Sequence, residues 1–455
     1  MADIRLAAAE PGARWSESFA RTFQRQYTIG RDSAVPEGFG WRRAEVGGLV
    51  VEHCPSLAVT RLASGNGRLQ ALLIGVAVDA DGFIVDDETV LPDGGFPQFE
   101  RWYHGLSGRY VLIGAHGERR RLYLDAASDM AAVYDPRTGR VASSPLLALE
   151  HPMEDSPRLD WRARIRGDAG YAFGETPDAH VRRPITNHSL DLDTLEQRRH
   201  WPLAAARFEP PRENALGYVL DRIVGRLGVV MRTVAESHGC AMAFGGDLDG
   251  RLLAAAARAA GVSEGVPASR AAPKPVNSRS VRWAHADATG YQTFGPDPRV
   301  ALREAVALKA PVTLQGRIVA LTRCGGMEGD DDAFPEGAEA LASWLMPADP
   351  GADPNGWVEA CETWIGGVPT PARRRLHDMA LLEQIMPNRV GAGRLLGRGG
   401  TFTVDPFNDR GLITLAMSFD PVIRRDGTLL AALVEHAQAL TERQDAERVP
   451  EAVPA

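Results

Sequence analysis

From Leu49 onward, apolar positions come in short runs separated by turn residues. Gly48 to His53, Arg68 to Val78, Arg109 to His116, Arg120 to Asp125 and Gly139 to Ser144 are rich in Val, Leu, Ile and Tyr. Asp81-Gly82, Asp93-Gly94-Gly95 and His116-Gly117 lie between them. Such runs, bounded by Gly and Asp, predict strands of a sheet-rich domain ending near Trp201-Pro202. Residues 1 to about 45 are polar and mixed, and predict no element.

After Pro210-Pro211 the period changes. Leu216, Val219, Leu220, Ile223, Leu227 and Val230 recur at helical spacing and predict a helix over 212–237. A short strand follows, Cys240 to Phe244, then a Gly-rich turn and a helix from Leu252 to Gly261. Residues 262–282 are rich in Pro, Ser and Arg and predict a loop. A second strand, Arg317 to Leu321, leads into a Gly-rich turn at 325–329. A helix-rich part follows, with a frayed tail after Glu442. Strands alternating with helices predict an α/β second domain. The expected fold class is therefore α/β: a β-sandwich domain with helices over residues 1–205, an α/β domain over 206–445, and a flexible tail over 446–455.

Composition narrows the function. The chain has 455 residues, 44% of them hydrophobic, enough for a core in each domain. Its net charge of −8 is the wrong sign for a nucleic-acid binder. Of 51 Lys and Arg, two are Lys, Lys274 and Lys309, so a lysine-based mechanism has few places to be. Cys54, Cys240, Cys324 and Cys361 form no CxxC or Cys/His cluster, which speaks against a zinc site and fits a reducing cytoplasm. The first residues carry no apolar signal-peptide core, and no run approaches the ~18–20 apolar residues of a membrane span. A cytoplasmic protein without membrane or nucleic-acid partners is expected.

Several motifs then appear in order. Leu106-Ser107-Gly108-Arg109-Tyr110-Val111-Leu112 is followed by Leu124-Asp125, Tyr134 and Ala142-Ser143-Ser144. Arg182-Arg183-Pro184-Ile185-Thr186-Asn187-His188-Ser189-Leu190-Asp191 precedes Arg199-His200-Trp201-Pro202. Phe244-Gly245-Gly246-Asp247-Leu248-Asp249-Gly250-Arg251 and Thr322-Arg323-Cys324-Gly325-Gly326-Met327-Glu328-Gly329 form two Gly-rich turns. Leu382-Glu383-Gln384 and Asp405-Pro406-Phe407-Asn408-Asp409-Arg410, through Arg425-Asp426, complete the set. Over roughly residues 60–435 the series resembles the asparagine synthetase family, and its "PFNDR" wording is closest to the lasso-peptide cyclase and β-lactam synthetase type. The resemblance implies a glutaminase-like domain of the Ntn type followed by an ATP-pyrophosphatase (PP-loop) domain.

The resemblance also implies a site. A working glutaminase half needs an N-terminal cysteine as nucleophile. Position 2 is Ala, so the amine is expected to come from the substrate. In the ATP half, Phe244, Gly245, Gly246, Leu248, Asp249, Gly250 and Arg251, with Gly325 and Gly326, are the implied ATP and pyrophosphate cradle. Backbone N–H groups at a helix start hold phosphate there. Asp249, Glu328 and Asp330 are the implied Mg²⁺ ligands, Glu383, Glu328 and Arg425 the implied catalytic groups, and ATP and Mg²⁺ the cofactors.

Departures from the family pattern are visible too. Gly245 and Gly250 stand where hydroxyls are expected, and Asp247 where a Gly is. A carboxylate ~4 Å from a phosphate oxygen costs on the order of 1–4 kcal/mol unless a cation bridges them. Asp247 or Asp249 can instead be the N-cap of the next helix. Asp330, Asp331 and Asp332 can also be read as a solvated loop, Arg424 and Arg425 as a surface pair, and Glu383 as an exposed glutamate. Asn408, Asp409 and Arg410 can pack and cap the helix Gly411 to Met417. Three functions remain. One is an ATP-dependent ligase that adenylates a carboxylate for attack by an amine, with peptide macrocyclisation beside a precursor peptide and a protease as one form. The second is a non-catalytic relative that binds a peptide or partner. The third is asparagine synthesis from ammonia.

Overall fold

The computed structural model describes residues 23–35, 40–150, 154–158, 171–242, 247–262, 312–323, 337–346, 354–392 and 402–448, with Pro335. The fold is mixed α/β. Its first part holds two sheets. The smaller is built from β1 (Tyr27–Gly30), β2 (Arg42–Val46), β3 (Leu49–His53), β9 (Val133–Asp135) and β10 (Arg140–Ala142), in the order β2-β3-β1-β10-β9. The larger takes β4 (Val59–Ser64), β5 (Leu69–Val78), β6 (Val90–Leu91), β7 (Ser107–His116), β8 (Arg119–Leu124), β11 (His188–Asp191) and β12 (Gln197–Arg199), in the order β12-β11-β8-β7-β5-β4-β6. The five strands predicted from sequence are β3, β5, β7, β8 and β10. The strands the sequence does not predict are β1 and β2 at the polar start, the six-residue β4, and β6, β9, β11 and β12, of two to four residues each.

Alternation along β5 explains the layers. Leu72, Ile74 and Val76 join Ile29, Val46 and Val51 of the smaller sheet in one core. Leu69, Ala71 and Leu73 face the other way, onto Phe96, Phe99 and Tyr103 of α1 (Phe96–Tyr103). The smaller sheet's outer face carries α2 (Pro145–Ala148), with Leu147 and Ala148 against Val133 and Ala142. The stacking is helix, sheet, sheet, helix.

The second part begins with α3 (Leu216–His238), which buries Val219, Leu220, Ile223, Leu227, Val230 and Val234 at the predicted spacing. Leu216 is instead 40% exposed, at the first residue of the helix just after the 3-10 turn Glu213–Ala215. At Gly228 a β-carbon would lie 2.8 Å from the Ala260 side chain, so its absence lets α4 (Leu248–Ala259) close in on α3. Three parallel strands, β13 (Cys240–Met242), β14 (Val312–Leu314) and β15 (Phe402–Val404), lie in that order. Further helices are α5 (Gly337–Leu345), α6 (Pro354–Gly367), α7 (Leu376–Ala380), α8 (Arg410–Ser418), α9 (Pro421–Arg425) and α10 (Thr428–Arg448). Two π-helical turns, Leu381–Ile385 and Pro387–Ala392, continue α7.

Two expectations are corrected here. The strand is Val312–Leu314, and the run predicted as a strand, 317–321, is a 3-10 turn, Ile318–Arg323. Ile318 donates its N–H to Asp405 Oδ2 at 2.7 Å instead of to a strand. Its apolar side chains are buried all the same, and burial is what a short apolar run signals, not strand geometry. The tail also holds together further than expected, since α10 runs to Arg448. The loop at 262–282, apart from Val262, the irregular stretch to 290 and residues 449–455 lie outside the described residues. Among the described residues no helix is long and apolar enough to cross a membrane.

The two parts are joined through β7. Its ten residues outrun the six of β8, whose pairing starts only at Val111. The unpaired start of β7 is completed by the Asn408–Asp409 segment. Gly108 donates to Asn408 O at 3.0 Å, and Asn408 Nδ2 donates back to Gly108 O at 2.6 Å. Only glycine serves at 108, where φ is +126° and a β-carbon would strike Val76 O. Asn408 Nδ2 also donates to Asp125 Oδ1 at 2.8 Å, and Asn408 Oδ1 accepts from Ala127 N at 3.0 Å. Arg226, from α3, donates to Asp409 Oδ2 (2.8 Å), Ser107 Oγ (2.6 Å) and Asp79 O (2.7 Å). Arg410 donates to Asn187 Oδ1 at 3.0 Å and Leu124 O at 2.9 Å, and its guanidinium lies 4.4 Å from the Tyr103 ring centroid.

Asn408→Ala removes three buried hydrogen bonds, to Gly108 O, Asp125 and Ala127 N, and each contributes about 0.5–1.5 kcal/mol, the one to the carboxylate about 1.5–3. The urea midpoint should fall by the equivalent of roughly 3 kcal/mol or more. A second expectation concerns pH. Burial, then the Asp129 carboxylate, push Asp125 up from 3.8 to about 6, against Asn408 and backbone donors. A raised acid favours folding below its unfolded value and loses that contribution as pH rises through the folded one. Asp125 therefore contributes about 3 kcal/mol near pH 4 that is gone above about pH 6. The gap in unfolding midpoint between the wild type and Asp125→Asn should be widest near pH 4 and narrow by pH 7.

Candidate functional site

In an open parallel sheet, ligands bind outside the carboxyl ends of the strands. At that edge stand the start of α4, the 3-10 turn after β14, and Asp405 after β15. Asp247 is the N-cap of α4, with φ −72° and ψ 172°, and its side chain accepts from Gly250 N at 3.0 Å. The helix start therefore already holds a carboxylate of its own chain. Leu248 is half-buried, Gly250 buried and Arg251 exposed.

Asp249 sits on the first turn of α4, is 9% exposed, and accepts from Arg323 Nη2 at 2.6 Å. Burial raises its pKa, with Arg323 opposing. Its other oxygen, Oδ1, is buried with no hydrogen-bond partner among the described residues. The described residues do not fit a Mg²⁺ site, because the charge Asp249 would offer is taken by a guanidinium. Among the described residues no group of three or more His, Cys, Asp or Glu side chains is placed to hold a metal ion. Phe244, Gly245, Gly246, Gly325, Gly326, Glu328 and Asp330 lie outside the described residues.

Glu383 is not an exposed glutamate. It is 2% exposed and lies in the first π-helical turn. Its two oxygens accept from Arg199 Nη1 (2.5 Å) and Nη2 (2.8 Å), and Oε2 also accepts from Trp364 Nε1 at 2.8 Å. An acid held by a bidentate guanidinium and an indole ties β12 to α6.

Arg424 departs from the expectation of a surface pair as well. It is fully buried, donating to Leu321 O at 3.0 Å and Asp378 Oδ2 at 2.6 Å. Arg425, the residue implied as catalytic, is half-buried beside Asp426. The structure thus brings Asp249 together with Arg323, and Arg424 with the same 3-10 turn. It places Glu383 in a separate pair. Asp409 is the N-cap of α8, accepting from Leu412 N at 3.0 Å, as its motif allowed.

Sequence reasoning missed Arg323, Arg199, Trp364 and Asp378 as partners. Arg323 and Arg199 stood inside quoted motifs, but the partners lie 74 and 184 positions away, and local spacing carries no signal of such pairs. The described cavities lie elsewhere. Volumes of about 660, 240 and 850 Å³ are lined wholly by residues of the first part, such as Arg120, Ile29 and Arg61. No family model matches the chain, and no curated protein matches it either.

Removing one partner of a buried ion pair costs about 3–5 kcal/mol, whereas replacing both by apolar groups is often near neutral. Glu383→Leu should lower the unfolding midpoint by that amount, and adding Arg199→Met should restore most of it. Additive losses in the double variant would show that the two side chains are not coupled.

Proposed function

We propose that this chain is an asparagine-synthetase-like protein whose nucleotide cradle is occupied by its own side chains, so that it binds a peptide or partner instead of making amide bonds. The helix–sheet–sheet–helix layering of residues 27–199 supports an Ntn-type, glutaminase-like first domain. Parallel strands β13, β14 and β15, with α4 after β13, support a PP-loop-type second domain. One observation carries the functional reading. The Asp247 carboxylate caps the helix start where a triphosphate would be received, and Arg323 stands on Asp249 where a divalent cation would be needed. A triphosphate arriving there meets the Asp247 carboxylate, with the Gly250 N–H already taken.

The ligase reading keeps one observation in its favour. Arg323 has 43% of its side chain exposed, so it can swing to a phosphate and release Asp249.

Thermal unfolding with millimolar ATP and Mg²⁺, together with a pyrophosphate assay, separates the two. The wild type should show neither a rise in Tm nor pyrophosphate release. Saturation at 100 times Kd would add about 2.7 kcal/mol and be plain in the scan. The double variant Asp247→Gly/Arg323→Gln, which clears the helix start and frees Asp249, should gain a Mg²⁺-dependent shift. An ATP response in the wild type would sink the binding-protein reading and restore the ligase.

A further inference from the structure

Among the described residues the buried arginines have acids for company, with one exception; Arg410 feels Asp125 and Arg375 feels Asp378. Arg199 has Glu383, Arg424 has Asp378, Arg140 has Glu150 at 2.6 Å and Arg109 has Asp129 at 3.9 Å. Arg183 is 6% exposed and has no carboxylate neighbour among the described residues. Its Nη1 donates to Pro387 O at 3.3 Å, and its Nε has no hydrogen-bond partner. A cation taken out of water without a counter-charge is among the costliest arrangements a fold can hold. Burial lowers the Arg183 pKa to about 10, which still leaves it charged at neutral pH.

Two more buried side chains in the same seam have an unused polar atom. The seam lies between residues 171–183 and the π-helical turns. Gln384, 3% exposed, accepts from Phe173 N through Oε1 at 2.7 Å. That contact fixes the amide, so the unpartnered Nε2 is a donor. Asn388, 3% exposed, donates through Nδ2 to Tyr171 O and, at 3.2 Å, to Gln384 O. Two carbonyl partners fix this amide too, so the unpartnered Oδ1 is an acceptor. Arg183 enters the same seam, its N–H on Gly174 O at 2.8 Å and its guanidinium on the residue before Asn388. Consecutive π-helical turns are rare and collect at functional sites.

The seam thus offers a cationic donor, a neutral donor and one acceptor. We propose that it binds an α-amino carboxylate, as a free amino acid or as the C-terminal residue of a peptide, with the carboxylate on Arg183 and Gln384 and the adjacent N–H on Asn388. A phosphate lacks the N–H that Asn388 would accept, and a simple amide lacks the charge that Arg183 would meet. The site is separate from the helix start at Asp247, and it stands whether or not the chain uses ATP.

The test is thermal unfolding of the full chain at matched ionic strength. The probes are glycine, N-acetylglycine, N-acetylglycinamide and inorganic phosphate, each at about 10 mM, which is tenfold above a Kd of about 1 mM. Glycine or N-acetylglycine should raise Tm by about 1–2 °C, while the amide and phosphate leave it unchanged. A response to glycine alone identifies free amino acids, and one to N-acetylglycine identifies peptide C-termini. No response to either, or an equal response to the amide, overturns the proposal. Arg183→Gln should abolish the response. Gln384→Glu keeps the contact to Phe173, sets a carboxylate beside Arg183, and should raise the baseline Tm while abolishing the response. It serves if Arg183→Gln does not fold, and a wild-type response in either variant overturns the proposal.

Discussion

A strand that outruns its neighbour needs something to pair with, and in this protein the need falls on the first residues of β7. There Gly108 has Ala77 of β5 on one side and no strand of its own domain on the other. The Asn408–Asp409 segment closes that edge from 300 residues away. Once it is there, Asp125 gains a donor, Ser107 and Arg226 converge on Asp409, and Arg410 is drawn over Tyr103. The residues that connect the two parts are therefore polar and buried, and their partners are specific. A hydrophobic interface of the same area would leave the strand's N–H and C=O groups unmet.

This junction accounts for part of the resemblance read from the sequence. Ser107, Gly108, Asp125, Asn187, Asn408, Asp409 and Arg410 are the residues that carried it. In the structure they bond to one another. They set one part against the other, a role that requires no particular chemistry. Motifs that look catalytic because they are polar and recur in order can be architectural for the same reasons.

The long apolar strands β5, β7 and β8 were readable, as was the period of α3, because each is a local pattern, whereas the six residues of β4 were not read as a strand. What was not readable depends on contacts across the chain. Ile318 to Leu321 has the composition of a strand, but Asp405 takes the N–H that a strand would use. Arg424 looked like a surface residue because nothing local signals Asp378, 46 positions earlier. Glu383 read as a catalytic acid or an exposed glutamate because its guanidinium comes from β12, 184 positions earlier. The capping roles of Asp247 and Asp409 were legible, since an N-cap is set by the three residues that follow it.

The long reach from β7 to Asn408 also bears on synthesis. Asp125 and its donor Asn408 are 283 residues apart. At about 5–20 residues per second, Asp125 leaves the ribosome roughly 15–60 s before Asn408 does. For that interval the start of β7 is an open edge beside a buried-to-be carboxylate, able to pair with any extended chain that comes near. The nascent first part is thus the stage of this protein's life at which it is most exposed to mispairing, and the most in need of a chaperone.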